Sequence, residues 1–205
     1  MGIQERRERE KEERRNQIIK TARKEFIKSG IRNASIKDIA RKAELSPRTI
    51  YTYFNNKQEL YVAILLSGLR ILCDEIAKIA SEVDDPMKAI RMVKEAYASF
   101  YKQHQDYFRI MVFIGFHDIH EDVKEESRRE ISDAVLNCIT IVSEIIEKGI
   151  KERLFNGGNP WKLSWVLWSL FVGIGHLNEA RQSLNAGKND FESLFDFAFR
   201  NLLIA

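Results

Sequence analysis

Between Ser46 and Lys57 the chain reads SPRTIYTYFNNK, which gathers Pro47, Arg48, Thr49, Tyr51, Thr52, Tyr53 and Lys57 into one short amphipathic stretch. On a helix, this set can reach base edges, thymine methyls and phosphate oxygens. A face turned only to water would more often carry Glu, Lys and Gln. The chemistry on offer is hydrogen bonding and charge pairing with a nucleic acid rather than the making or breaking of bonds.

Such side chains work only if short elements hold them at a fixed angle. Ser35, with Asp38 three residues on, resembles a capping box and opens a helix whose inner face is Ile36, Ile39, Ala40 and Ala43. After a turn at Glu44 and Leu45, Ser46 is a natural N-cap and Pro47 suits the first helical position, where its missing N–H costs nothing. The third helix is therefore expected from Pro47 to about Phe54. Asn56 and Glu59 cap a fourth helix, which Leu60, Ala63, Ile64, Ile71, Leu72 and Ile76 carry at helical spacing to about Ser81. Upstream, Ile18, Ile19, Ala22, Phe26 and Ile27 share one helix face, and Gly30 is a C-terminal stop. Residues 5 to 15 alternate acids and bases, so they either extend that helix or form a frayed arm. Two short helices joined by a tight turn, the second exposing polar and aromatic groups, make a helix-turn-helix.

Charge points the same way. The chain has 205 residues and a net charge of +3, but residues 1 to 57 hold 16 Lys/Arg against 8 Asp/Glu. The remaining residues are net acidic. One basic end is the footprint of a polyanion-binding module joined to a part with another task. With 44% hydrophobic residues the chain can build one large core or two small ones. No run of 18 uncharged apolar residues occurs, and MGIQERREREKEERR lacks the apolar region of a secretory signal, so a cytoplasmic protein is expected. Cys73 and Cys138, both in apolar helical patterns, are expected as buried reduced thiols rather than as a bridge.

Asp85-Pro86 marks the next helix start, and helices are predicted over 86 to 104, 106 to 116, 121 to 154, 160 to 184 and 190 to 204. No strand-period segment competes, so the expected fold is all-α with about nine helices. Phosphate-cradling glycine loops, GxSxG and HExxH are missing, which argues against an enzyme. His117, Asp118, His120 and Glu121 form the one cluster with metal-ligand chemistry, but at an inter-helix turn such residues usually cap and hydrate; no metal or other cofactor is expected.

The run ASIKDIARKAELSPRTIYTYFNNKQELYVAIL, with its Thr-Ile-Tyr-x-Tyr-Phe core, Lys57 and Leu60, resembles the TetR family of bacterial transcriptional regulators over Gly30 to Leu65. That resemblance implies a three-helix, homeodomain-like helix-turn-helix domain at 1–57 and a linking helix at 57–81. It implies a helical-bundle regulatory and dimerisation domain at 58–205. It implies a homodimer that places each third helix in the major groove of a palindromic operator and is released by a small apolar or amphipathic effector. Carried onto this chain, Tyr53 and Lys57 resemble phosphate clamps, Tyr51 and Thr49 groove and backbone contacts, and Ser35 and Lys37 phosphate contacts from the second helix. Base reading would fall to Pro47, Arg48 and Thr52, with Ser46 at the helix start. Glu44 and Arg48 depart from the family, whose members often carry glycine at both positions. A turn needing φ > 0 would be strained at Glu44 by about 1 kcal/mol.

Downstream, Phe100, Tyr101, Tyr107, Phe108, Phe113, Phe116, Trp165, Trp168 and Phe171 are suited to lining an effector pocket, with His104, His176, Asn178 and Arg181 as orienting polar groups. Such stripes serve equally as plain core. Trp161 and Val172 on one helix and Phe191, Leu194, Phe195, Ala198 and Leu202 on the last give apolar faces for the dimer interface that the resemblance implies. The competing reading is a helical lipid or small-molecule carrier whose basic end meets a membrane surface. It is disfavoured because the basic residues surround a helix-turn-helix instead of forming a continuous basic amphipathic helix.

Overall fold

The computed structural model describes residues 2–114, 123–183 and 190–203, and these form helices and their connections, without a strand. Among the described residues nine α-helices follow in order: α1 (Ile3–Asn33), α2 (Ile36–Lys42), α3 (Pro47–Tyr51), α4 (Lys57–Glu82), α5 (Pro86–Gln103), α6 (Gln105–Arg109), α7 (Glu125–Lys151), α8 (Pro160–Ser183) and α9 (Phe191–Leu203). A wider π turn, Ile110–Ile114, follows α6 directly. No described helix is long and apolar enough to cross a membrane.

Local rules account for the boundaries. Gly30, at φ 73, interrupts α1 where the stop was expected, and a further short turn runs on to Asn33. Residues 5 to 14 extend α1 as exposed helix, with Arg15 half-buried, and pairs such as Arg6 with Glu10 support it. The third helix ends at Tyr51, earlier than the expected Phe54. There the Tyr53 and Phe54 amides both bond the Ile50 carbonyl, closing the last turn. Asp85 caps α5 by accepting from the Met87 and Lys88 amides, and Pro86 takes the first helical position.

The chain divides into two compact units, one of residues 1–67 with 109–131 and one of 68–108 with 132–205. The first thus runs ten residues past the boundary expected at 57 and takes in a later segment. Its core is Ile18, Ala22, Phe26, Ile39, Ala40, Ile50, Leu60 and Ile64, all buried. Tyr61 is buried with them and donates to the Ile110 carbonyl at 3.1 Å.

The second unit is built on aromatic rings. Tyr97, Phe100 and Tyr101 from α5, Phe108 from α6, Trp168 and Phe171 from α8, and Phe191, Phe195 and Phe199 from α9 are all buried. The closest rings are Tyr101 and Phe191, stacked with centroids 4.1 Å apart. Gly175 is required by this packing: a Cβ there would lie 2.1 Å from the Phe108 ring. Cys73 of α4 and Cys138 of α7 form a disulfide, with Cα atoms 5.3 Å apart. This corrects the expectation of two separate thiols: 65 residues of chain separate the cysteines, and only the packing of α4 on α7 brings them together.

Candidate nucleic-acid interface

In the first unit, α2 and α3 present the predicted face. Ser35 caps α2, accepting from the Asp38 amide at 3.0 Å and donating to the Asp38 carboxylate at 2.6 Å. That hydroxyl bond, together with nearby Arg41, holds the Asp38 carboxyl below its usual range. Ser46 caps α3 by accepting from the Thr49 amide at 3.0 Å, and its hydroxyl meets that of Thr49 at 2.8 Å. Ser35 and Ser46 therefore orient the two helices, and their hydroxyls are already engaged within the protein.

The side chains assigned to base reading stand outward. Pro47, Arg48 and Thr52 are exposed, Tyr51 is 52% exposed, and Lys37 on α2 is exposed as well. The exposed position of Tyr51 leaves most of its ring outside the core. Thr52 donates its hydroxyl to the Thr49 carbonyl at 2.7 Å, so it presents a methyl group and an acceptor oxygen outward. Tyr53 and Thr49 are half-buried.

Lys57, expected as a phosphate clamp, also has a role within the protein. Its ammonium donates to the carbonyls of Arg32 and Ala34, both at 3.0 Å, and so ties the start of α4 to the connection between α1 and α2. A third N–H remains for a phosphate. No sequence signal marked this role, because the carbonyls it needs lie more than twenty residues away.

The turn between α2 and α3 has the conformation that favours glycine. Glu44 sits at φ 57, one of two described non-glycine residues with positive φ, and it is exposed. Gln17 braces the same turn, its amide donating to the Ala43 carbonyl at 2.9 Å. Arg15 lies over the Phe54 ring, 5.4 Å from its centroid, which anchors the exposed part of α1 to the segment after α3. Behind α2, Lys42 pairs with the buried carboxylate of Glu25. That pairing, with a bond from Ser29, holds Glu25 below its ordinary value against the opposing effect of burial. Glu59 is likewise held low by its bonds to Asn55 and Lys124.

Residues expected to meet an effector fall mostly in the aromatic core of the second unit. Phe100, Tyr101, Phe108, Trp168 and Phe171 are buried against one another, while His104, Trp165 and His176 are half-buried. Tyr101 also joins a polar network missed from sequence: it accepts from the Asn178 side chain at 2.5 Å and donates to the buried Glu179 at 3.1 Å. The side chain of Phe113 and all of Phe116, His117, Asp118, His120 and Glu121 lie outside the described residues.

The dimer-face expectation needs a correction. Phe191 and Phe195 are 0% and 1% exposed, packed inside the same unit against Tyr101, Tyr97 and Phe171. They are core because α9 turns that stripe toward α5 and α8. Trp161 and Leu194 are exposed as expected, while Val172, Ala198 and Leu202 are half-buried. Sequence reasoning missed Val166, Leu177 and Phe197, at 43%, 64% and 69% exposure. For Phe197, its offset of two positions from the buried Phe195 was the available signal.

Known proteins resemble this chain in sequence and in fold. Residues 18–64 match the family model described as bacterial regulatory proteins, tetR family. The chain is 27% identical over 141 residues to the HTH-type transcriptional repressor NicS of Pseudomonas putida, a match covering 69% of this chain and 65% of that relative, just under two thirds. In structure it resembles the TetR family transcriptional regulator PfmR from Thermus thermophilus, with a TM-score of 0.73 at 21% identity, over 90% of this chain and 96% of the other. It also resembles the transcriptional regulator FadR from Bacillus subtilis in complex with stearoyl-CoA, with a TM-score of 0.71 at 17% identity, over 91% and 96% of the two chains.

Proposed function

We propose that this chain, whose residues 18–64 match the model described as bacterial regulatory proteins, tetR family, is a ligand-responsive transcriptional repressor that binds a palindromic operator as a homodimer. The observation that carries this reading is the outward set on α3 and its C-cap: exposed Pro47, Arg48, Tyr51 and Thr52 on a helix capped by Ser46 and seated on the buried Ile50. Arg48 and Thr52 read bases, while Lys37, Thr49, Tyr51, Tyr53 and the third N–H of Lys57 hold phosphates. Ser35 and Ser46 contribute by setting the ends of α2 and α3. The role is binding, not catalysis.

The homodimer forms through α8 and α9, where Val166, Leu177, Leu194 and Phe197 leave an apolar face uncovered within one chain. A palindromic site requires the two α3 helices of such a dimer to lie about one DNA turn apart, roughly 34 Å. The second unit takes an apolar or amphipathic effector, a reading supported by its aromatic interior and by the stearoyl-CoA bound to the Bacillus subtilis FadR that it resembles.

Selection of bound duplexes from a random pool tests the proposal. An enriched sequence with two-fold symmetry is expected. Enrichment of no sequence, together with binding to anionic vesicles, would replace the regulator with a surface-binding carrier. If effector and operator are coupled, saturating operator must weaken the effector by the same factor by which the effector weakens the operator.

A further inference from the structure

Among the described residues three tyrosines are fully or almost fully enclosed, and two of them have their hydroxyls bonded. Tyr61 donates to Ile110, and Tyr101 bonds Asn178 and Glu179. Tyr97 is different: its side chain is 0% exposed and its hydroxyl has no hydrogen-bond partner among the described residues. A buried polar group left unmet is unfavourable, and phenylalanine would fill the same space without that penalty. The hydroxyl is therefore unexplained by the packing of the free chain.

Its surroundings define what would complete it. The Tyr97 ring lies among Phe171, Phe195 and Trp168, with centroids 4.7, 5.9 and 6.3 Å away. All three neighbours are aromatic. Burial pushes the phenol above its ordinary range, so it remains a neutral O–H donor. Of the three ring neighbours, Phe171 and Phe195 are at most 1% exposed, whereas Trp168 is 9% exposed, the most of the three.

We propose that Tyr97 is the hydrogen-bonding anchor of an effector site that opens when the Trp168 indole swings outward. The site takes a neutral, largely apolar molecule carrying one acceptor oxygen, such as a ketone, ester or thioester. The indole vacates room for about one ring or a short acyl segment. A charged group is disfavoured, since a buried charge without a partner costs far more than a neutral acceptor. This rests on reading the second unit as an effector sensor, and it names the residue and the ligand chemistry that reading lacks.

The test compares wild-type full-length protein with Tyr97→Phe, using three probes of nearly equal size: acetophenone, ethylbenzene and benzoate. Two results are expected. Without probe, Tyr97→Phe melts at a higher temperature than wild type, because the unmet hydroxyl is gone. By calorimetric titration, wild type binds acetophenone about tenfold more tightly than ethylbenzene, and Tyr97→Phe reduces that ratio to about twofold or less. Benzoate should bind least to both. A lower melting temperature for Tyr97→Phe, or a wild type that distinguishes none of the three probes, overturns the proposal. Neither result touches operator selection, so failure here is separable from failure of the regulator reading.

Discussion

Lys57 donates to the Ala34 carbonyl at 3.0 Å, and through that bond the first residue of α4 holds the chain just ahead of α2. A second bond to Arg32 makes the ammonium a brace, in addition to the phosphate contact proposed for it. Lys57→Ala should therefore do two things. It should weaken binding to cognate and scrambled duplexes alike and reduce the slope of log affinity against log salt by about one. It should also destabilise the free protein by about 1 kcal/mol, because two carbonyls lose a charged donor at a partly solvated site. Urea melts and salt-dependent anisotropy measure the two effects. An unchanged urea midpoint would show that the brace contributes nothing in solution.

Arg48 is exposed and stands at the start of α3, so its loss should leave the melt unchanged. Arg48→Ala should relax operator preference at one base pair per half-site by about 1–3 kcal/mol. Competition between cognate and scrambled duplexes checks this, and equal losses on both would refute the assignment.

Glu44 at φ 57 carries strain that glycine would not, and its carboxylate lies in the turn that leads to α3. Glu44→Gly is expected to stabilise the free protein by about 1 kcal/mol. It should also tighten binding to any duplex, since one negative charge leaves the face that meets phosphates. A lower urea midpoint would mean that the added freedom of the unfolded chain outweighs the relieved strain.

Phe197 is 69% exposed on α9, close to Leu194 at 46%. Phe197→Asp should convert a dimer to monomer in sedimentation analysis, and should lower operator affinity more than affinity for an isolated half-site. A variant that still sediments as a dimer would move the interface elsewhere.

Glu25 is buried, paired with Lys42, and held below its ordinary carboxyl value. A carboxyl with a depressed folded-state value contributes stability that is fully present above its unfolded value, near 4.5, and is lost as pH falls through the lower folded value. Acid titration of the melting temperature should thus fall steeply for wild type below about pH 4.5 and less steeply for Glu25→Gln. Parallel curves would assign the acid sensitivity to other carboxyls.

Much of the first unit is legible in the chain because its rules are local. Ser35 and Ser46 cap from positions three residues ahead of the amides they meet, Pro47 fits only a first turn, and Ile39 and Ala40 sit on the inner face that the spacing predicts. The positive φ of Glu44 was an open question that turn chemistry posed and the structure answered. Other features depend on partners distant along the chain. The Lys57 brace needs carbonyls 23 and 25 residues away, and the disulfide of Cys73 needs Cys138 across 65 residues. On α9, periodicity identified an apolar helix, but Phe191 and Phe195 face the core while Phe197 faces outward. Which stripe is buried is decided by how α9 packs on α5 and α8. Sequence alone determined the helices, their caps and the outward face of α3, since each follows from neighbours within one or two turns. Tertiary structure decided which aromatics are core, which face is left apolar and that the Tyr97 hydroxyl is unmet, since burial and hydrogen-bond satisfaction are properties of elements brought together from distant parts of the chain.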